Sequence, residues 1–220
     1  MRYARQEVLI GPSAQKKLEN SKVCIVGVGA LGTLAAQLLV RSGVGSLILI
    51  DDDKIELDNL QRQHLFREKD VGEFKAKIAK KVLNEINSEI NIKIITDRLN
   101  DKNLKIINSD IVLDCVDNLE TSYLINDYCK ERKIPLVFAS VIRCEGYIYN
   151  LVGNVKSIKE IFHGVKTFEN CLTQGVMNTA TSLISSLQVN EAIKILTGKS
   201  HEEKLLRFDL TNNELLKIKC

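Results

Sequence analysis

The chain has 220 residues, 45% of them hydrophobic and 27% charged, with a net charge of +3. That length buries a sizeable core as one domain, and that balance excludes a disordered chain. Two prolines and 12 glycines exclude a collagen-like or proline-rich polymer, and the small net charge gives no pointer to nucleic acid.

The N-terminus, Met1–Gly11, carries charge where a signal peptide needs an apolar segment, and the apolar stretch Val23–Val40 is broken by glycines and polar residues. Neither secretion nor membrane insertion is expected, and the cytoplasm is the expected location. Lys22–Val26 is a short apolar run, followed by Gly27-Val28-Gly29-Ala30-Leu31-Gly32, a helical stretch to Val40, and a second apolar run Leu47–Ile50 after Gly43 and Gly45. Continuous hydrophobicity marks strands covered on both faces, so this is a βαβ unit with a parallel pair. The alternation continues with a helix over Lys75–Asn87, strands over Ile92–Ile95 and Ile111–Cys115, a helix over Leu119–Arg132 and a fifth strand Leu136–Ala139. The fold class is therefore α/β, a doubly wound, mainly parallel sheet with a Rossmann-like nucleotide-binding half. After Arg143 the texture changes. Tyr147–Leu151 alternates, Gly153–Asn170 has no clean period, Gly175–Leu196 reads as a long amphipathic helix, and Leu205–Asp209 with Glu214–Ile218 reads as a hairpin forming a C-terminal antiparallel extension. One domain over 1–220 is expected, with residues 1–146 forming the nucleotide-binding half and 147–220 the substrate-binding and dimerisation half.

Gly27-x-Gly29-x-x-Gly32 follows a strand and opens a helix, the context in which the motif brings backbone amides to a phosphate. Asp51 ends the next strand about 20 residues on, where an acid can hydrogen-bond a ribose. These features fit ATP and NAD alike. Arg62 tips the balance toward ATP, because breaking a triphosphate develops charge that a guanidinium can pair with. Lys75 adds a second cation. Lys77, Lys80 and Lys81 read as solvated surface. Asp117, after the strand Ile111–Cys115, can hold Mg²⁺ against phosphates, while Asp117 or Asn118 can also cap the helix at Leu119. Cys115 reads as a core residue. Gly198-Lys199-Ser200 ends like a phosphate loop but lacks the earlier glycine and follows a helix, so it reads as a helix C-terminus. The six cysteines contain no C-x-x-C pair and the three histidines no ligand spacing, so zinc is not expected.

Arg2-Tyr3-Ala4-Arg5-Gln6, Gly27–Gly32, Asp51-Asp52-Asp53, Asn59-Leu60-Gln61-Arg62-Gln63, Val71-Gly72-x-x-Lys75 and Asp114-Cys115-Val116-Asp117-Asn118 stand in the order found in ThiF/MoeB/HesA proteins, and the chain resembles that family. The resemblance implies ATP- and Mg²⁺-dependent adenylation of a carboxylate in cofactor biosynthesis. It places Gly27, Gly29 and Gly32 at the nucleotide, Asp51 on the ribose, and Asn59, Arg62 and Lys75 on the phosphates. It holds Mg²⁺ on Asp117 and brings Asp53, Gln63 and Asn118 into the same site. Arg5 matches an N-terminal arginine that reaches a neighbouring subunit's nucleotide, which implies a homodimer. Cys171 stands where relatives carry a cysteine that binds the acyl group or sulfur. A small buried residue at a helix start fits that position equally. The chain departs from the family in lacking the zinc cysteine pairs and in a short basic segment (Lys156, Lys159, Lys166) where a carrier protein docks. The substrate is then either the C-terminus of a ubiquitin-like sulfur carrier or a small-molecule carboxylate, such as the pyridinol of the [Fe]-hydrogenase guanylylpyridinol cofactor. An NAD-dependent oxidoreductase on the same glycine loop is the alternative of another class. It supplies no nominee for a hydride-transfer acid or base.

Overall fold

The computed structural model describes residues 2–163 and 174–219. Two short helices, α1 (Ala4–Ile10) and α2 (Pro12–Asn20), precede β1 (Lys22–Val26). The chain then runs α3 (Ala30–Ser42), β2 (Ser46–Ile50), α4 (Lys75–Ile86), β3 (Asn91–Ile95), β4 (Ile111–Asp114), α5 (Leu119–Arg132), β5 (Leu136–Ile142) and β6 (Glu145–Leu151). It ends with α6 (Ile158–Ile161), α7 (Asn178–Thr197), β7 (Leu205–Asp209) and β8 (Glu214–Ile218). Sequence reading anticipates the succession from β1 to β8 but not α1, α2 or α6. It also begins the last long helix three residues early, because Val176 pairs instead with Arg143 in an isolated bridge.

All eight strands join one sheet in the order β3-β2-β1-β4-β5-β6-β7-β8. The pairings from β3 through β5 are parallel, and those from β5 through β8 antiparallel. The order explains the apolar runs. Val23 and Ile25 of β1 pack into one layer with α3 and α7, while Cys24 and Val26 pack into the other with α5. A strand covered on both faces has no polar side to show. Chain direction across the sheet reverses between β1 and β4, and such a switch point leaves a crevice at the carboxyl ends of the strands.

Turn chemistry closes the helices where expected. Gly43 and Gly198 are the left-handed C-caps of α3 and α7, so Gly198-Lys199-Ser200 is the helix end that the sequence implies. Asn118 caps α5, its side chain accepting from the Thr121 amide at 3.0 Å. The segment entering α7 is stitched to the β5–β6 turn. The Arg143 amide donates to Gly175 O and the Met177 amide to Arg143 O, both at 3.0 Å.

α7 lies against β5 and β6 so closely that a methyl group on Gly146 would stand 2.2 Å from Ile184 Cγ1. Gly146→Ala therefore forces Ile184 off its rotamer. We expect a loss of about 1–3 kcal/mol, read as a lower urea midpoint at unchanged m-value.

Candidate active site

The glycine turn is held by two close backbone approaches. Gly27 has φ +88°, and a Cβ there would sit 2.6 Å from Cys115 O at the end of β4. A Cβ on Gly32 would stand 1.9 Å from Gly27 O, so Gly32 lets α3 fold onto its own turn. Asp51 braces this turn from β2. Its Oδ2 accepts from the Val28 amide at 2.6 Å and its Oδ1 from the Asp53 amide at 2.9 Å. Burial raises the Asp51 carboxyl above the ordinary range, against the opposing pull of Lys75 and of those two amides.

A cavity of about 460 Å³ opens over this turn, at the carboxyl ends of β1, β2, β4 and β5. Gly27, Gly29, Asp51, Asp53, Asn59, Arg62, Gln63, Lys75, Asp117 and Asn118 all line it. Gly32 and Arg5 do not: Gly32 serves the packing just described, and Arg5 is exposed on α1. Cys171 lies outside the described residues. Cys115 also touches the cavity, yet it is buried, which pushes its thiol well above the ordinary value, so it behaves as a core residue.

Local pairing explains how distant residues converge. Lys54 bridges Phe74 antiparallel, and the Lys75 amide donates to Asp53 O at 3.0 Å. That crossing delivers Lys75, the first residue of α4, with its Nζ 2.7 Å from Asp53 Oδ2. Its ammonium is buried while the Asp53 carboxylate is two-thirds exposed, so an arriving anion can displace the weaker-held partner. Asn59 closes a 3₁₀ turn over Leu57–Asn59, and Arg62 on the next turn donates from Nη1 to Asp58 O at 2.8 Å. Gln63 is buried, with Oε1 unpartnered among the described residues. Sequence reasoning misses Asp97, Arg98, Leu99, Ser140, Val141 and Thr181, which complete the wall. The signal for most of them is position alone, just beyond or late in parallel strands.

The charge in the cavity is unbalanced. Asp51, Asp52, Asp53, Glu56, Asp58, Asp97 and Asp117 face it against Lys54, Arg62, Lys75 and Arg98. The cavity thus holds more carboxylates than cations, and Asp117 is a carboxylate of the kind that can share a divalent cation with a phosphate. Among the described residues no group of three or more His, Cys, Asp or Glu side chains could hold a metal alone. A cation shared with phosphates does not require one.

Asp114, three residues before Asp117, is fully buried, and burial pushes its carboxyl up to about 7 against the Ser122 hydroxyl and the Val116 amide. In the unfolded chain the group ionises near pH 4. Between those values the native state alone keeps the proton, so its contribution to stability falls as pH rises. We expect Asp114→Asn, measured by urea unfolding, to gain on the wild type by up to about 4 kcal/mol from pH 4 to pH 7 and to hold level above it.

No helix among the described residues is long and apolar enough to cross a membrane. The ThiF family matches residues 3–220. The ThiS sulfur-carrier adenylyltransferase of Bacillus subtilis is 35% identical over 227 residues, covering all of this chain and 68% of that protein. The SAMP-activating enzyme E1 of Haloferax volcanii is 34% identical, covering 94% and 80%. The crystal structure of E. coli MccB with ATP superposes with a TM-score of 0.87 at 27% identity, over 99% of this chain and 71% of that one. With this match from end to end, the chain belongs to the ThiF family and is an ATP-dependent adenylyltransferase.

Proposed function

We propose that the chain activates the C-terminal carboxylate of a ubiquitin-like sulfur-carrier protein as its acyl-adenylate. The observation that carries this reading is the convergence of Arg62, Lys75 and Asp117 with the glycine turn around one cavity. The relatives named for sulfur carriers support the choice of substrate.

In the reaction a carboxylate oxygen attacks the α-phosphorus of ATP, the bond to the bridging oxygen breaks, and pyrophosphate leaves with the electron pair. The chain's task is positioning and charge neutralisation. The amides of the first turn of α3, beyond the Gly27 and Val28 amides that Ile50 O and Asp51 already hold, donate to phosphate oxygens, and Asp51 accepts a ribose hydroxyl while bracing the glycine turn. Asn59, Arg62 and Lys75 hold the departing pyrophosphate, Lys75 exchanging its exposed partner Asp53 for phosphate. Asp117 would hold Mg²⁺, which would supply the charge neutralisation that the acidic wall lacks. Gln63 and Asn118 shape the rim, and Asp53 restrains Lys75 before nucleotide arrives.

The two halves, 1–146 and 147–220, work as one adenylation unit in a homodimer. Helix α1 supports that assembly. It buries no residue of its own and leaves Val8 and Leu9 87% and 82% exposed beside Arg5. A partner covering them would bring Arg5 into a shared interface.

Pyrophosphate exchange into ATP, dependent on added carrier, tests the reading. Arg62→Ala should lower exchange kcat/KM by about 10²-fold or more, and near-normal exchange would remove Arg62 from the phosphates. Exchange driven by small carboxylates but by no carrier would move the substrate to the small-molecule class. Cys171→Ser should leave exchange intact while abolishing any later transfer to sulfur.

A further inference from the structure

Helix α7 buries polar residues on the face turned to the core. Thr181, Ser185, Gln188 and Glu191 are all less than 5% exposed. A buried polar side chain costs stability unless paired, so their partners decide what they are for. Three side chains of this helix, one per turn, leave it for chain segments that line the nucleotide cavity.

Gln188 fills the fork where β4 turns away from β5. Its Nε2 donates to Asp114 O at 2.8 Å and to Val137 O at 2.9 Å, and its Oε1 accepts from Cys115 Sγ at 3.3 Å. Ser185 Oγ donates to Leu31 O, in the first turn of α3, at 2.9 Å. A helical serine ordinarily turns back to its own helix, as Ser186 does onto Ser182 O. Ser185 instead crosses to the glycine-turn segment. Ser182 Oγ donates to Asn178 O at 2.8 Å and lies 3.0 Å from His64 Nε2, a hydrogen bond whose direction follows the imidazole tautomer. The His64 amide in turn donates to Thr33 Oγ1, and that hydroxyl donates to Gly29 O. One helix thereby touches the turn bearing Asp117, the turn bearing the glycines and the turn bearing Arg62.

We infer that Gln188 is a positioning residue, acting with Ser185 and Ser182, that holds these three turns in the mutual register a magnesium–nucleotide complex requires. The inference rests on the reading of the cavity as the site of MgATP. Apolar residues could fill the same volume but would take these donors away from Leu31 O, Asp114 O and Val137 O. Only donors and acceptors at these spacings fix backbone segments from three different crossovers against one another.

Calorimetric titration of the full chain with the magnesium complex of α,β-methylene ATP, well below the unfolding midpoint, tests it. Gln188→Met keeps the volume and removes both donors, and its dissociation constant should rise about tenfold. Val189→Ala, the adjacent buried position, loosens the same helix while leaving in place every hydrogen bond to the three turns. It should bind within about twofold of wild type. Wild-type binding by Gln188→Met overturns the inference, and so does equal weakening by Val189→Ala, which would trace the effect to general stability. Should Gln188→Met fail to fold, the double variant Ser182→Ala/Ser185→Ala should bind about three- to tenfold more weakly, and unaltered affinity there overturns it as well. Absence of binding by the wild-type chain would instead strike the reading of the site itself, and this inference with it.

Discussion

The approach of two backbones at Gly27 sets the terms for everything around it. With the Cys115 carbonyl standing where a Cβ would be, the β1–α3 turn and the end of β4 share one narrow space. Close packing there sets the glycine turn and Asp117 along the wall of the same opening. Gly32 repeats the constraint one helical turn later, drawing α3 onto the carbonyl of Gly27. Asp51 then fixes the turn from the neighbouring strand with both carboxylate oxygens. In the proposed site this one side chain both braces the glycine turn and faces the cavity, so it would couple the two parts of a bound nucleotide.

Electrostatics divides the labour differently from packing. The cavity wall is acidic, yet two of its cations come in different states of restraint: Lys75 is buried and ion-paired with Asp53, whereas Arg62 donates to the Asp58 carbonyl. An anion entering the cavity meets one cation ready and one that must change partner. The core beneath contributes polarity of its own, since the helix under the cavity meets the sheet with an amide and α3 with a hydroxyl as well as with methyl groups.

Much of this was legible in the residues, for identifiable reasons. The helix Leu119–Arg132 and the two hairpin strands fall at the boundaries their patterns suggest, because caps and turn residues bracket them. The glycine turn, Asp51, Arg62, Lys75 and Asp117 reach one cavity as their motifs imply. Gly32 carries the motif but spends it on packing, a distinction that spacing does not encode. Helix α1 escaped notice because it buries nothing and so has no apolar stripe to read. The last long helix looked amphipathic, but its buried face mixes Gln188 and Glu191 with Ile184 and Val189, and periodicity read from apolar residues misplaces such a face. Ser140, Val141 and Thr181 had no motif at all; topology alone brings them to the wall.

The thiols have a practical consequence. Cys24, Cys115 and Cys129 are buried, and burial lifts all three thiols, that of Cys129 to about 12, far from the pH at which a thiolate forms in water. An alkylating reagent applied to the native chain therefore finds these three targets sealed. Any rapid covalent labelling has to be traced to Cys144, Cys171 or Cys220, so mass mapping of a single brief iodoacetamide pulse reduces six positions to three. Cys24, Cys115 and Cys129 then become a clock for unfolding, since each of those sulfurs reacts when the sheet and the helix over it come apart.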